Sequence, residues 1–175
     1  MPATEFVCLK CGNCCRNLIG NEDTAGLILF PNEVALFPKR NIKPCAATGK
    51  SLTHGSFKII TYQLTENICP HLKDTSCTIY QKRPLSCKGY PFVLSGDSRQ
   101  PSLLTDPECT FIKESMGKYL SRTIHDFAPC ESIEARTVFL EKLRDYYILE
   151  SIKIKRWIYN LKTEKWERYL YERNF

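Results

Sequence analysis

Four cysteines lie within one short stretch near the start of the sequence: Cys8, Cys11, Cys14 and Cys15. We call residues 8–16 the cysteine loop. Two residues separate the first three from one another, and this spacing lets successive thiols reach one metal ion or one face of a cluster. Gly12 suits the turn between them because it takes a positive φ without a Cβ clash. Adjacent side chains point in different directions, so Cys14 and Cys15 are not expected to bind the same ion. One of the two should bridge, serve a second centre or stay unliganded.

Four further cysteines stand singly along the chain: Cys69, Cys77, Cys87 and Cys109. Structural zinc modules usually combine two Cys-x2-Cys knuckles, and no second knuckle occurs in this sequence. Three closely spaced cysteines with one remote fourth are instead typical of the [4Fe–4S] clusters of bacterial ferredoxins. The spacing therefore favours an iron–sulfur cluster, with a zinc ion as the alternative.

Two stretches carry a family resemblance: FxCxxCxxCCR over residues 6–16, and CPxL…CxIYxxRPxxCxxYPF over residues 69–92. Both resemble the YkgJ-type CxxCxxCC family, which is described as zinc- or iron-chelating and includes many members called iron–sulfur proteins. The family also contains a flagellin lysine N-methylase branch. The resemblance implies eight metal ligands: Cys8, Cys11, Cys14, Cys15, Cys69, Cys77, Cys87 and Cys109. Eight cysteines would serve two four-ligand centres, whereas one centre with several buried thiols is the alternative.

Three cations flank these cysteines and are candidates for contact with the cofactor: Arg16, Arg83 and Lys88. A cluster held by thiolates carries net negative charge, which nearby cations would stabilise. Ordinary surface ion pairing is the alternative for each of them. Cys45 and Cys130 are predicted to be non-ligands, because a lone cysteine usually behaves as a small buried hydrophobe. His71 could supply an imidazole or only pack beside Cys69.

The composition indicates a globular protein, with 43% hydrophobic and 25% charged residues among 175. No run of about 18 apolar residues is present, so no membrane span is expected. The first residues do not resemble a signal peptide, which predicts a cytoplasmic protein whose cysteines bind metal rather than form disulfides. A net charge of +6 does not by itself indicate nucleic-acid binding. No phosphate-binding loop, hydrolase elbow or HExxH motif is present.

The fold predicted is α+β: a small cysteine-rich metal-binding domain with short strands and loops, plus C-terminal helices that supply most of the core. One domain is expected over residues 1–175, with a cysteine-cluster part (1–110) and a helical part (111–175). Local patterns predict a short helix at 30–37, a loop around 44–49, a strand at 57–64, helices at 111–122 and 131–152, and a terminal hairpin around Trp157 and Trp166.

The sequence thus predicts an iron–sulfur accessory protein, with one or two [4Fe–4S] clusters, for electron transfer, cluster delivery or assembly of a larger complex. A protein partner is expected, and nucleic acid is not. A zinc-binding structural adaptor is the first alternative. A lysine methylase is the second, and the family resemblance permits it without marking any catalytic residue.

Overall fold

Antiparallel strands and a few short helices form the α+β fold of the chain, seen in a computed structural model that describes residues 4–19, 25–49, 57–95, 102–116, 127–147 and 155–168. The strands are β1 (Leu27–Leu29), β2 (Ile42–Gly49), β3 (Lys58–Leu64), β4 (Leu72–Lys73), β5 (Ser76–Cys77), β6 (Phe92–Ser95), β7 (Ser102–Thr105), β8 (Lys155–Asn160) and β9 (Lys165–Arg168). The α-helices are α1 (Leu85–Lys88), α2 (Thr110–Met116) and α3 (Glu131–Tyr147).

The chain divides into two compact units. The first unit comprises Met1–Arg16 and His71–Glu141, and the second comprises Asn17–Pro70 and Lys142–Phe175. Most of the cysteines predicted to bind metal lie in the first unit, and Cys69 lies in the second. None of the helices in the described ranges is long and apolar enough to cross a membrane.

The second unit is built on a five-stranded antiparallel sheet with the order β1-β3-β2-β8-β9. Strand β3, between β1 and β2, runs Lys-Ile-Ile-Thr-Tyr-Gln-Leu, a sequence rich in the β-branched and aromatic residues that suit a pleated surface. Leu29 on β1, Ala46 on β2 and Leu64 on β3 are fully buried. The predicted strand at 57–64 is confirmed, with its first hydrogen-bonded residue at Lys58.

The predicted loop around Pro44, Cys45 and Gly49 is wrong, because these residues belong to strand β2. A proline inside a sheet removes a ladder hydrogen bond and is tolerated mainly at bulges. The register of β2 against β3 shifts directly after Pro44. The buried Gln63 side chain then donates to the carbonyl oxygens of Pro44 (2.8 Å) and Tyr159 (2.9 Å). A side-chain amide thus bonds main-chain acceptors where the regular pairing of β2 is interrupted.

The predicted terminal hairpin is confirmed as β8 and β9, which pair in antiparallel register through Tyr159 and Trp166. The two rings stack edge to face, with centroids 5.4 Å apart. Asn160 closes the turn, since its Oδ1 accepts the backbone N–H groups of Lys162 and Thr163. The short helix predicted at 30–37 is only a 3-10 turn, Val34–Leu36. The Glu33 carboxylate accepts the Phe30 N–H (2.8 Å) just ahead of it.

The first unit has its own apolar core, formed by Phe92, Cys109, Ile112 and Phe127. Phe6, just before the cysteine loop, stacks edge to face on Phe92 with centroids 5.7 Å apart. The predicted helices begin at Thr110 and Glu131, while the segments beyond Met116 and Tyr147 lie outside the described residues. The expectation that the C-terminal helices supply most of the core is wrong for the described residues, because many buried side chains come from the sheet.

Candidate metal site

The cysteine loop closes on itself through a 3-10 turn, Asn13–Cys15. Gly12 precedes the turn with a φ of 74°, and its carbonyl accepts the Cys15 N–H at 3.0 Å. The turn separates the adjacent thiols by environment, because Cys14 is half-buried whereas Cys15 is only 8% exposed. The two neighbouring cysteines thus differ in burial, and their binding to different centres stays a prediction.

The remote segment that begins at Cys109 reaches the cysteine loop through Thr110. The Cys11 Sγ lies 3.2 Å from the Thr110 Oγ1, across a sequence separation of 99 residues. The Asn13 Nδ2 donates to the same oxygen at 2.8 Å. Two residues of the loop therefore contact Thr110, the residue next to Cys109. Cys109 itself is 7% exposed.

The charges of two loop cysteines affect the pKa of the Cys109 thiol. Burial raises the pKa of the Cys109 thiol, the backbone N–H groups of Ile112 and Phe111 lower it, and the charges of Cys11 and Cys8 raise it again. Burial also opposes ionisation of Cys11, yet the hydrogen bond with Thr110 and several backbone contacts leave its pKa below the ordinary value. The structure thus brings Cys8 and Cys11 into the neighbourhood of Cys109.

Two tyrosines border this group of sulfurs. Burial raises the pKa of Tyr90, and the charges of Asp106, Cys109 and Cys14 raise it further, so the phenol stays protonated beside the thiols. Burial likewise raises the pKa of Tyr80, and a hydrogen bond with Cys8 adds to the shift. Cys14 therefore joins the same neighbourhood through Tyr90.

The predicted cation Arg83 lies over the Tyr80 ring, with its Cζ 3.6 Å from the ring centroid. Its Nε donates to the Tyr80 carbonyl at 2.7 Å. The Lys10 Nζ lies 5.1 Å from the same centroid. Two cations thus lie over the ring of Tyr80, whose hydroxyl group forms a hydrogen bond with Cys8.

Cys77 lies on the β4–β5 hairpin, directly opposite Leu72. The hairpin is tied to the cysteine loop by Arg16, whose guanidinium donates to the Asp74 carbonyl (3.2 Å) and the Gly12 carbonyl (3.5 Å). Arg16 is also a predicted contact of the cofactor, and that role stays a prediction; its described hydrogen bonds join the cysteine loop to the hairpin. The Thr78 side chain lies near the His71 Nδ1 and donates to the His71 carbonyl, so His71 takes part in the same hairpin.

Cys87 lies on α1, and Arg136 on α3 is near enough for the charge of Cys87 to affect its pKa. The sequence patterns do not predict this neighbour. The Nε of this arginine is buried, with no hydrogen-bond partner among the described residues. Burial lowers the pKa of Arg136, and the charge of Cys87 raises it. Gly89 makes room for the arginine, because a Cβ there would lie 2.9 Å from the Nε. The predicted cation Lys88 points to the Glu131 carboxylate, at 4.0 Å.

The remaining cysteines are buried or partly buried. Cys130 is partly buried and packs against the core of the first unit, and its role as a non-ligand stays a prediction. In the second unit Cys45 and Cys69 are buried, and burial raises the pKa of Cys45. That Cys69 binds metal stays a prediction from the sequence.

The cysteine thiols are the donors available for a metal. No disulfide joins the ten cysteines, all of which the structure describes. Thiolates are the ligands that zinc and iron–sulfur clusters use, so the donor type fits both. No group of three Cys, His, Asp or Glu side chains in the described ranges is already arranged to hold a metal ion. Binding would therefore require the thiol side chains to reorient on the loop and on the segment at Cys109.

Comparison with known families agrees with the cysteine pattern. The sequence model of the CxxCxxCC family, described as a "putative zinc- or iron-chelating domain", matches residues 7–116. Nine of the ten cysteines lie within the matched region, and Cys130 lies beyond it.

 These are the eight predicted ligands plus one predicted non-ligand. No curated protein and no solved structure matches the chain.

Proposed function

We propose that this chain, which belongs to the CxxCxxCC family, binds a [4Fe–4S] cluster through Cys8, Cys11, Cys14 and Cys109. The family match supports metal binding in general, and the choice among the remote cysteines rests on the relation of Cys109 to the loop. The 3.2 Å contact between the Cys11 Sγ and the Thr110 Oγ1 places the segment that carries Cys109 at the cysteine loop. The β4–β5 hairpin that carries Cys77 also contacts the loop, through Arg16. We assign Cys109 as the fourth ligand because the charges of Cys11 and Cys8 raise the pKa of its thiol, which relates Cys109 itself to the loop sulfurs.

Iron is preferred to zinc because the ligand pattern is a close triplet with one remote partner, the arrangement of ferredoxin clusters. The surroundings also suit a cluster. Phe6 and Phe111 stack edge to face, with centroids 5.2 Å apart, in the core that contains Cys109. Such an apolar wall would limit access of water to the sulfurs, which is one of the factors that set a cluster's potential.

The bound cluster would supply one-electron redox chemistry. The chain's own residues would hold it through thiolates, orient the sulfurs through hydroxyl groups and shield them with aromatic rings. We propose that the protein serves as an accessory factor in electron transfer, cluster delivery or complex assembly, together with a protein partner. A reducing compartment such as the cytoplasm would keep the thiols available for binding.

Metal analysis of protein purified without oxygen tests this proposal. We expect iron and sulfide in equal amounts, with a brown colour and a broad absorption band that bleaches on reduction. A colourless protein with stoichiometric zinc would contradict the iron assignment and would support the zinc adaptor of the same family description. Methyl transfer from S-adenosylmethionine to a protein lysine would instead support the methylase alternative.

A further inference from the structure

We infer that Thr110 is a positioning residue for the metal site, because its hydroxyl group lies within hydrogen-bond distance of the Cys11 sulfur and can donate to it as a thiolate. This inference rests on the proposed function, in which Cys11 is a ligand. It adds a second role for the segment at Cys109, since this segment would supply both a thiolate and the hydrogen bond that orients another thiolate.

The atoms that surround the Thr110 Oγ1 leave its hydroxyl proton available for Cys11. A hydroxyl group has one proton to donate and two lone pairs that accept. The Asn13 Nδ2 lies 2.8 Å away and can only donate, so it occupies a lone pair of the oxygen. The hydroxyl proton is then available for the second neighbour, the Cys11 Sγ at 3.2 Å.

Metal binding makes this direction obligatory. The unliganded Cys11 can act as donor or acceptor toward Thr110, because a thiol carries a proton. A cysteine that ligates zinc or iron is a thiolate and has no proton to donate. Toward a Cys11 thiolate, the hydroxyl of Thr110 can therefore act only as the donor.

The position of Thr110 is fixed by its backbone. Thr110 is the first residue of α2, and the Lys113 N–H donates to the Cys109 carbonyl at 2.9 Å. The Cys109 N–H in turn donates to the Asp106 carbonyl at 3.1 Å. Helix and turn therefore hold the backbone from which the Thr110 and Cys109 side chains project, which keeps the hydroxyl near the cysteine loop.

Substitution of Thr110 by valine removes the hydroxyl and keeps the shape of the side chain. The probe is Zn²⁺ titrated into metal-free protein under anaerobic conditions, because zinc binds thiolates without redox chemistry. Loss of a hydrogen bond next to a metal ligand usually lowers metal affinity by about 10-fold to 100-fold. We expect a loss of about 10-fold for Thr110→Val. Thr110→Ser, which keeps the hydroxyl, should bind zinc as the wild type does.

Two further variants complete the test. Thr137→Val is the matched control, since this exposed hydroxyl of the first unit bonds only the Ile133 carbonyl, at 3.0 Å, in the contacts described. It should leave zinc affinity unchanged. Asn13→Ala removes the donor that orients the Thr110 hydroxyl, and because Asn13 is exposed this variant should fold. It should weaken zinc binding by less than Thr110→Val.

The inference is overturned if Thr110→Val binds zinc as tightly as the wild type, or if Thr110→Ser weakens binding as much as Thr110→Val. A different result marks failure of the proposed function itself. If Cys11→Ser leaves the zinc affinity of the wild type unchanged, then Cys11 is not a ligand, and the role of Thr110 falls with it.

Discussion

Gly12 rests directly on the carbonyl of Thr75, since a Cβ atom added at Gly12 would lie 2.7 Å from the Thr75 oxygen. The cysteine loop therefore sits against the turn of the β4–β5 hairpin, with no space for a side chain at this point. Its φ of 74° is also in the left-handed region that favours glycine. The approach of these two backbones positions the loop that bears Cys11 and Cys14.

Substitution of Gly12 by alanine should lower the free energy of unfolding by at least about 1–2 kcal/mol. The left-handed backbone alone accounts for roughly this amount, and the contact with a rigid carbonyl adds to it. Urea denaturation, read as a shift of the midpoint at constant slope, measures the change.

The matched control is Lys10→Gly in the same loop, because Lys10 also has a positive φ, of 52°, but is not a glycine. This substitution should relieve backbone strain and leave the midpoint equal or slightly higher. A Gly12→Ala protein as stable as the wild type would show that the loop is not held against the hairpin as described.

The strands and helices with strong local patterns could be predicted from the sequence, but strand β2 could not. Pro44 and Gly49 are both turn signals, and they outweighed the apolar residues between them. The strand pairs with β3 and β8, and the Gln63 side chain bonds the Pro44 carbonyl at the bulge. Such a tertiary contact leaves no local trace in the pattern of residues 42–49.

The candidate site shows a similar limit. The sequence predicts the reactive thiols from their type and spacing, and the family match over residues 7–116 confirms the family. It does not predict which remote cysteine lies near the loop, because that depends on the fold. Thr110 and Arg136 were missed because a threonine at a helix start and an arginine within a helix are common in proteins. Only their contacts with Cys11 and Cys87 distinguish them.

Metal removal should affect the two units differently. The first unit has short elements around its cysteines, so metal ligation should supply much of its stability. The second unit has a five-stranded sheet with buried Leu29 and Leu64. After treatment with a chelator, hydrogen exchange should speed up in α1 and α2 while β3 stays protected. Equal protection of α1 and α2 with and without metal would contradict a stabilising centre.

The hypothesis of two centres is tested at Cys15. Cys14 and Cys15 differ in burial, which is compatible with sulfurs that serve different sites. If Cys15 belongs to a second cluster, Cys15→Ser should remove about half of the iron, because each cluster takes four cysteines. Cys11→Ser should remove about the other half. Cys45→Ser, at a buried cysteine of the second unit, is the control and should keep all of it. Unchanged iron in Cys15→Ser would leave a single centre.

The most direct test of the account is the iron content of Cys109→Ser beside that of Cys130→Ser, both purified without oxygen. Cys130 is partly buried and packs against the core that contains Cys109, so Cys130→Ser is the control for a serine placed at this core. We predict that Cys109→Ser loses the cluster bound by the loop triplet, whereas Cys130→Ser retains the iron and the absorption band of the wild type. Wild-type iron content in Cys109→Ser would contradict the assignment of Cys109 as the fourth ligand.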